Sequence, residues 1–495
     1  MRDVLKAAGG AVFLIFMAAS CAGKPASGEE TVNIGSLFEP NNLSNTSGAG
    51  QGINEAFNGN VYEGLFRLAD SGEVEPLLAE EWTVSEDRLR YKFRLRGGVK
   101  FHSGKDFSAA DVKASFERVV AGDSQAARKS TYAVVDSIEI PDPRTVIFQL
   151  KKPSVSLPYY LSYIWIVNTE AGDLKAAEDG TGPYTLENWT RGSSLSLTRF
   201  EDYWGEKAKN ARAVFYYFTD AMALNNALLS GQVDIITSVQ SPDALSVFEN
   251  NKKFVISSGN STTKELLAFN DQWGPFNSVL ARKAVYSAID RAKLLNAIWG
   301  KYGTLIGSMV PPTDPWYDAA LVNENPYDAG LAKTLLAEAG YPDGFAFTLE
   351  TPAYDPHPAV AEFIQSELAK VGITVSINSI TADEWYSKVF REKNFEATLQ
   401  EHVNDRDVVW YGNPNFYWGY KNAEVTRLVD EAESSATPEE QKEKLLQVNR
   451  IIAKEAASAW LYLYPQIIVA SAKLSGYPVN ALNSQFFAYN IVKAK

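Results

Sequence analysis

Two kinds of hydrophobic spacing occur along this chain, and together they predict both strands and helices. Leu89, Tyr91, Phe93 and Leu95 recur at every second position between basic residues, which predicts a strand with one buried and one solvated face. Segment 281–289 instead places its apolar residues at helical spacing. The patterns therefore predict an α/β fold.

The second half of the chain predicts a strand–helix–strand unit. Residues 345–351 are typical of a strand, residues 360–368 place apolar side chains on one helical face, and 373–377 alternate again. A parallel pair of strands needs such a crossover, and the crossover is right-handed. A later apolar segment, 460–472, predicts a strand that returns to the first half of the molecule.

Size and charge narrow the class of protein. The chain has 495 residues, too many for one hydrophobic core, so two or three domains are expected. Its 47 basic and 60 acidic residues give a net charge of −13, which argues against nucleic-acid binding and fits a soluble monomer.

The first 21 residues have the pattern of an export signal. A weakly basic start precedes the apolar run 7–19, which is too short to span a membrane, and Cys21 is the only cysteine of the chain. Two interpretations of Cys21 are open: it is lipidated as in a lipobox, although Ala18 stands where a branched apolar residue is usual, or it is incidental. The polar segment 22–30 predicts a flexible tether.

Several motifs resemble one family. The segments DFSAADVKASFER (106–118) and GTGPYTLENW (180–189), the latter followed by YWG at 203–205, resemble family 5 solute-binding proteins of bacterial ABC importers, as does segment 264–312. The resemblance implies a two-lobed, periplasmic-binding-protein-like fold with mixed sheets flanked by helices and two hinge crossings. Lobe I would comprise 31–265 and 473–495, with an inserted subdomain at about 66–170, and lobe II would comprise 266–472.

The same resemblance implies a ligand site. Asp405 takes the position at which dipeptide binders of the family hold the α-ammonium group, and a buried ammonium group needs a fixed opposite charge. Trp410, Tyr411 and Trp418 would shape the pocket or present flat faces to sugar rings. The remaining predicted ligand contacts are Thr46, Ser47, Gly48 and Asn270. The alternative is that 399–420 is a structured loop whose aromatic residues fill the core.

The predicted function is capture of peptides between the lobes, outside the cell membrane, by a lipid-anchored protein that delivers them to a permease and its ATPases. An oligosaccharide or another small solute is the first alternative ligand. A secreted glycan-active hydrolase is the third hypothesis, although the chain has three histidines, no HExxH pair and no G-x-S-x-G motif. No cofactor, metal or catalytic residue is predicted.

Overall fold

The computed structural model describes residues 31–47, 50–126, 128–172, 179–239, 242–480, 482 and 484–494. The predicted signal segment, Cys21, the tether and Gly48 therefore lie outside the described residues. The strands are β1 Thr31–Ser36, β2 Phe66–Leu68, β3 Val74–Pro76, β4 Ala79–Val84, β5 Arg90–Leu95, β6 Val135–Asp142, β7 Thr145–Leu150, β8 Tyr184–Thr190, β9 Ser194–Arg199, β10 Arg212–Tyr217, β11 Ile235–Ile236, β12 Phe254–Phe269, β13 Ala346–Pro352, β14 Thr374–Ile380, β15 Ala397–His402, β16 Ser458–Ser471, β17 Leu474–Ser475 and β18 Val492–Lys493.

The helices are interspersed with these strands along the chain, as expected for an α/β fold. They are α1 Gln51–Phe57, α2 Ala109–Val120, α3 Leu157–Leu161, α4 Ala221–Ser230, α5 Val279–Ala288, α6 Arg291–Trp299, α7 Ala329–Glu338, α8 His357–Ala369, α9 Ala382–Glu384, α10 Ala423–Glu433 and α11 Pro438–Lys454. Polar side chains cap the N-termini of several helices: Ser278 accepts a hydrogen bond from the Ala281 amide at the start of α5, and Asp290 accepts one from the Lys293 amide at the start of α6.

One mixed sheet holds most strands of the described chain, in the order β14-β13-β15-β12-β16-β11-β1-β10-β9-β8. The predicted strand–helix–strand unit is confirmed as β13, α8 and β14, with the two strands parallel. The long antiparallel strands β12 and β16 lie in the middle, and they join the strands on either side into one sheet. They are the two chain crossings between the halves of the molecule.

The β12–β16 pairing is interrupted at one place. Asn260 lies opposite Pro465 and Lys264 lies opposite Leu463, so three residues of β12 face a single residue of β16 at this irregularity. Proline has no amide hydrogen to donate to the neighbouring strand. The interruption therefore marks a weaker point in the ladder between the two halves.

β12 begins earlier than the apolar pattern predicts. The sequence indicates a strand only at 266–269, whereas the structure begins it at Phe254. Residues 257–263 are small or polar and offer no apolar periodicity, but residues 257–260 pair with β16, and residues 261–263 form the interruption in that pairing. Tertiary pairing overrides local composition here.

A second sheet packs a core of its own. Strands β4, β5, β7 and β6 pair in that order, and their buried face packs with α2 around a hydrophobic cluster that runs from Leu65 to Ile166. β5 buries Tyr91, Phe93 and Leu95 and exposes its basic residues, as its alternation predicts. This cluster lies where the sequence predicts the inserted subdomain. Because β12 and β16 run unbroken through both halves, the boundaries at 265/266 and 472/473 stay a prediction.

Candidate functional site

A central cavity of about 750 Å³ lies beside the interruption in the β12–β16 ladder. Its volume is within the range of small-molecule sites. Residues from distant parts of the chain form its walls: Phe38, Asn45, Gly50, Gln51, Ile53, Asn54, Glu55, Asn58, Val119, Ala126, Arg128, Tyr132, Tyr163, Trp165, Thr237, Ser238, Val239, Ser261, Thr262, Thr263, Trp299, Tyr354, Asp355, Pro356, Glu401, Val403, Asn404, Tyr464, Pro465, Gln466, Ser484, Gln485 and Phe486.

The polar lining comes largely from places where regular secondary structure ends or is interrupted. Ser261, Thr262 and Thr263 are the three residues at the β12 irregularity. Tyr354, Asp355 and Pro356 follow β13, while Val403 and Asn404 follow β15. The hydroxyl groups at the irregularity donate within the protein, Ser261 to the Tyr464 carbonyl and Thr262 to the Val403 carbonyl, and their oxygens keep acceptor capacity for a ligand.

One wall of the cavity carries a buried carboxyl group on α1. Glu55 is buried, and the Thr237 hydroxyl donates a hydrogen bond of 3.2 Å to its Oε1. Burial raises the pKa of Glu55 to about 7, and hydrogen bonds from Ser36 and Thr237 oppose that rise. The group is therefore close to half-protonated near neutral pH.

Two carboxyl groups on adjacent strands form what we call the acidic floor: Glu401 of β15, which lines the cavity, and Glu265 of β12, which is buried behind the lining. They are directly opposite in the antiparallel ladder, so both side chains leave the same face of the sheet. The Tyr464 hydroxyl donates to Glu265 Oε2, and the Tyr354 hydroxyl donates to Glu401 Oε1 over 3.2 Å. Burial raises the pKa of Glu401 and raises that of Glu265 well above its usual value.

A neutral histidine lies beside the acidic floor. His357 is fully buried, and burial lowers its pKa. Its Nδ1 is 3.1 Å from the Tyr354 carbonyl oxygen, which only accepts, so the ring proton is on Nδ1. Nε2 is then an acceptor, and it lies 3.5 Å from Glu265 Oε2. A protonated Glu265 matches that arrangement.

The other face of the same ladder is compensated in charge. Lys264 and His402 are paired opposite each other, one position from the acidic floor. The Lys264 ammonium lies 3.3 Å from Asp407 Oδ2 and also donates to the Asn404 carbonyl. Burial by itself raises the pKa of Asp407, but Lys264 and His402 outweigh it and lower that pKa below its usual value.

Asp405 is engaged within the protein. Its Oδ1 accepts hydrogen bonds from Arg128 over 3.1 Å, from Tyr159 over 2.8 Å and from Tyr163 over 3.1 Å. The Arg128 guanidinium lies over the Tyr163 ring, 4.0 Å from its centroid. Asp405 thus faces a cation, as its predicted role requires, but in this structure the cation belongs to the chain. Its contact with a ligand ammonium stays a prediction.

Two of the predicted aromatic contacts are in the core. Tyr411 and Trp418 are fully buried and stack with ring centroids 4.4 Å apart, and the Tyr411 hydroxyl lies 2.8 Å from the Ser458 hydroxyl. Trp410 is more exposed, stacks on Phe416 and donates to Asp407 Oδ1. None of the three lines the central cavity, and this packing favours the alternative in which these residues fill the domain.

The remaining predicted contacts also make internal hydrogen bonds. The Thr46 hydroxyl lies 2.8 Å from that of Ser44, and the Ser47 amide donates to the Ser44 carbonyl. The Asn270 side chain donates to the Phe395 carbonyl, just before β15, and its Oδ1 accepts from the Gln272 amide in the turn after β12. These residues lie outside the cavity lining, although their neighbours Asn45 and Gly50 belong to it. Their ligand contacts stay predictions.

The sequence analysis missed the acidic floor. Glu265 comes directly before the apolar run 266–269 and Glu401 comes two residues after Leu399, at the ends of apolar segments where acidic residues are ordinary, so the sequence offers no clear signal for the floor. Their proximity is visible only once the strand register is known. Among the described residues, no group of three His, Cys, Asp or Glu side chains is placed to hold a metal ion. Within the same residues, no helix combines the length and apolarity needed to cross a membrane.

Solved structures of other proteins have the same architecture. HbpA2 from Haemophilus parasuis superposes with a TM-score of 0.84 at 22% identity, over 94% of this chain and 100% of that one. The ABC transporter-associated periplasmic binding protein DppA from Helicobacter pylori, in complex with peptide STSA, gives a TM-score of 0.75 at 24% identity, over 94% and 98% of the two chains. These likenesses confirm the predicted fold class.

Sequence comparison identifies the family. The glutathione-binding protein GsiB of Salmonella choleraesuis is 28% identical over 459 residues, which are 86% of this chain and 87% of that protein. The model of the bacterial extracellular solute-binding proteins, family 5 (Middle), matches residues 73–424. The relatives are solute-binding proteins and not enzymes. The predicted resemblance is thereby confirmed: this chain belongs to family 5 of the bacterial extracellular solute-binding proteins.

Proposed function

We propose that this protein captures small peptides in the central cavity and delivers them, chemically unaltered, to the permease of an ABC importer. The observation that carries the proposal is the cavity itself, because both halves of the chain form its walls beside the irregularity in the β12–β16 ladder. A ligand held there contacts both halves at once, so its binding free energy favours the arrangement that encloses it.

The chemistry of the cavity walls suits a peptide. Amide and hydroxyl side chains, such as those of Asn58 and Thr262, can pair with peptide N–H and C=O groups. Tyr132, Trp165 and Phe486 add aromatic surface for side chains. Two relatives support this class of ligand by name: one binds glutathione, itself a small peptide, and another is in complex with peptide STSA.

An oligosaccharide is less well supported as the ligand. The sequence-based argument for sugars relied on Trp410, Tyr411 and Trp418, but these residues stack on other aromatic rings of the protein and lie outside the cavity lining. Their faces are therefore not offered to a sugar ring in this arrangement. The hydrolase hypothesis is not retained, because the relatives are solute-binding proteins.

Contacts between the inserted region and the second half would hold the cavity shut. Besides the Arg128–Asp405 pair, Ser156 donates to Glu433 Oε2 over 2.7 Å, and the Val155 amide donates to the Glu433 carbonyl. We expect these contacts to break when the cavity opens. Small-angle scattering with and without peptide should then show a smaller radius of gyration in the bound protein.

Two measurements test the ligand class. Mass spectrometry of small molecules released from the purified protein by denaturation should identify peptides. A thermal-shift screen of di- to tetrapeptides against oligosaccharides should raise the melting temperature only with peptides. Stabilisation by sugars alone would overturn the peptide proposal.

A variant that fills the cavity tests whether the peptide binds there. Thr263→Trp places a bulky ring in the lining and should weaken peptide binding by about tenfold or more, a change of about 1.4 kcal/mol. Thr83→Trp is the matched control, because Thr83 is exposed on β4. Equal affinity in the two variants would place the ligand elsewhere.

Attachment to the membrane through Cys21 also belongs to this proposal. Export followed by lipidation would keep the receptor beside its permease at the outer face of the membrane, and more than one acyl chain gives stable anchoring. Cys21→Ala should move the protein from the membrane fraction of cells to the soluble fraction, while Ser20→Ala should leave it in place. An unchanged membrane fraction in Cys21→Ala would contradict lipidation.

A further inference from the structure

The acidic floor has no positive partner within the described chain. Among the described residues, no lysine or arginine forms a salt bridge with Glu265 or Glu401, and no cation contributes to the pKa shift of either. Oε1 of Glu265 is buried and makes no hydrogen bond. Buried carboxyl groups are ordinarily paired, because an unpaired charge in the interior is costly.

The floor is open to the cavity on one side. Glu401 and its hydrogen-bond donor Tyr354 both line the cavity, as does Tyr464, which donates to Glu265. Glu265 itself is fully buried, yet its side chain leaves the sheet on the same face as Glu401. An unsatisfied carboxyl oxygen thus lies behind a cavity-lining carboxyl group.

Compensation on the opposite face shows that this sheet can pair buried charges. One position along the ladder, Lys264 and His402 both approach Asp407. The only basic side chain that approaches the floor among the described residues is His357, and its proton lies on the nitrogen that faces away from Glu265. The missing positive charge can therefore enter only from the cavity.

We propose that the acidic floor is a subsite for a cationic group of the ligand, an alkylammonium or guanidinium, which binds Glu401 and draws a negative charge onto the Glu265–Glu401 pair. This deepens the proposed function and rests on it, since the ligand enters the same cavity. The subsite is separate from Asp405, whose carboxylate is engaged by Arg128.

Binding at the floor exchanges a proton for the cation. Before the ligand binds, Glu265 holds a proton toward the acceptor Nε2 of His357. When the ligand cation binds Glu401, the O–H bond of Glu265 breaks, the proton leaves to solvent, and the bonding electrons stay on Glu265 as a carboxylate, so the pair gains one negative charge. No group is oxidised or reduced. Cation binding should therefore release up to one proton.

The test uses isothermal titration calorimetry with four probes: Ala-Lys-Ala, Ala-norleucine-Ala, acetyl-Ala-norleucine-Ala and spermidine. Wild-type protein should bind Ala-Lys-Ala at least about tenfold more tightly than the norleucine peptide if the side chain occupies the floor. If the α-ammonium group occupies the floor instead, acetyl-Ala-norleucine-Ala should bind at least about tenfold more weakly than Ala-norleucine-Ala. The heat should vary with the ionisation enthalpy of the buffer, which reports proton release.

Glu401→Gln keeps the size of the side chain and removes its charge. In this variant the preference for the cationic probe should fall by about tenfold or more, while the affinity of acetyl-Ala-norleucine-Ala, which has no cationic group, should stay unchanged. Glu443→Gln is the matched control, since Glu443 is exposed on α11 and lies outside the cavity lining. Tyr354→Phe, which removes only the hydrogen bond to Glu401, is a second variant should Glu401→Gln unfold.

The outcomes separate the two proposals. If peptides bind but Glu401→Gln and Tyr354→Phe keep the wild-type preference, the floor proposal fails and the peptide proposal stands. If no peptide binds but spermidine binds and Glu401→Gln weakens its binding, the peptide proposal fails and the cation subsite stands. If no probe binds, both are overturned.

Discussion

Two neighbouring pairs of the β12–β15 ladder carry buried charge in opposite ways. Lys264 and His402 project to one face and meet Asp407, so that face holds a compensated pair. Glu265 and Glu401 project to the other face, where tyrosine hydroxyls supply hydrogen bonds but no lysine or arginine of the described residues pairs with them. The compensated face has no opening to the cavity through these residues, whereas Glu401 lines it. Charge left unpaired beside a cavity indicates a ligand, and charge paired within the protein indicates a structural role.

The largest expected effect comes from breaking the compensated face. Lys264→Met should lower the free energy of unfolding by about 3–5 kcal/mol, because it leaves Asp407 buried without its cation. Urea denaturation followed by circular dichroism measures the loss. The double variant Lys264→Met with Asp407→Leu should recover part of it. A loss below about 1 kcal/mol in the single variant would show that the pair is not a structural element.

A second prediction concerns Glu55, a cavity carboxyl group whose pKa receives no contribution from a lysine or arginine of the described residues. Its pKa rises from 4.5 to about 7 on folding, so the folded protein binds the proton more tightly than the unfolded chain. That stabilisation is fully present below pH 4.5 and is lost as pH rises through about 7. In wild type, loss of the Glu55 proton therefore lowers the free energy of unfolding by about 3 kcal/mol as pH rises from 4.5 to above 7, and Glu55→Gln should abolish that part of the pH dependence.

Unfolding in urea at several pH values between 4.5 and 8 measures the Glu55 effect. Glu443→Gln, an exposed position on α11, serves as the control and should retain the wild-type profile. Identical slopes in Glu55→Gln and wild type would contradict the raised pKa.

Asp405 sharpens the comparison, because the sequence predicts a ligand contact and the structure gives it an internal cation. Asp405→Asn should lower the free energy of unfolding by about 2 kcal/mol, since Arg128 loses its charged partner and two tyrosines lose a charged acceptor. Calorimetry with a peptide that has a free amino terminus, run on the same variant, tests the other role. Unchanged stability together with a large loss of affinity would favour the ligand contact.

The smallest effect is expected for an ion pair in water. Arg427 and Glu431 on α10 are about half exposed and only 2.5 Å apart, yet Arg427→Ala should change the free energy of unfolding by less than about 1 kcal/mol. Adding salt should reduce that difference further. If Arg427→Ala lowered the free energy of unfolding as much as Lys264→Met, burial would not determine how much an ion pair contributes to stability.

Local sequence patterns predicted those parts of the fold that depend on near neighbours. The alternation at Leu89–Leu95 and the strand–helix–strand unit around α8 were both confirmed, because periodicity is a property of a few consecutive residues. The motifs at 106–118 and 180–205 predicted the family. The early start of β12 was not predicted, because pairing with β16 determines it.

The site separates what the sequence determined from what the tertiary structure decided. The sequence determined the α/β fold, the family and the absence of a recognisable catalytic motif. The tertiary structure decided that Tyr411 and Trp418 stack in the core, that Arg128 engages Asp405, and that Glu265 and Glu401 share one face of the sheet. Tyr411 and Trp418 are near in sequence, but Tyr411 also packs on the distant Trp460. Long-range contacts and strand register set the other two partnerships, because residues more than a hundred positions apart carry no local pattern that indicates their proximity.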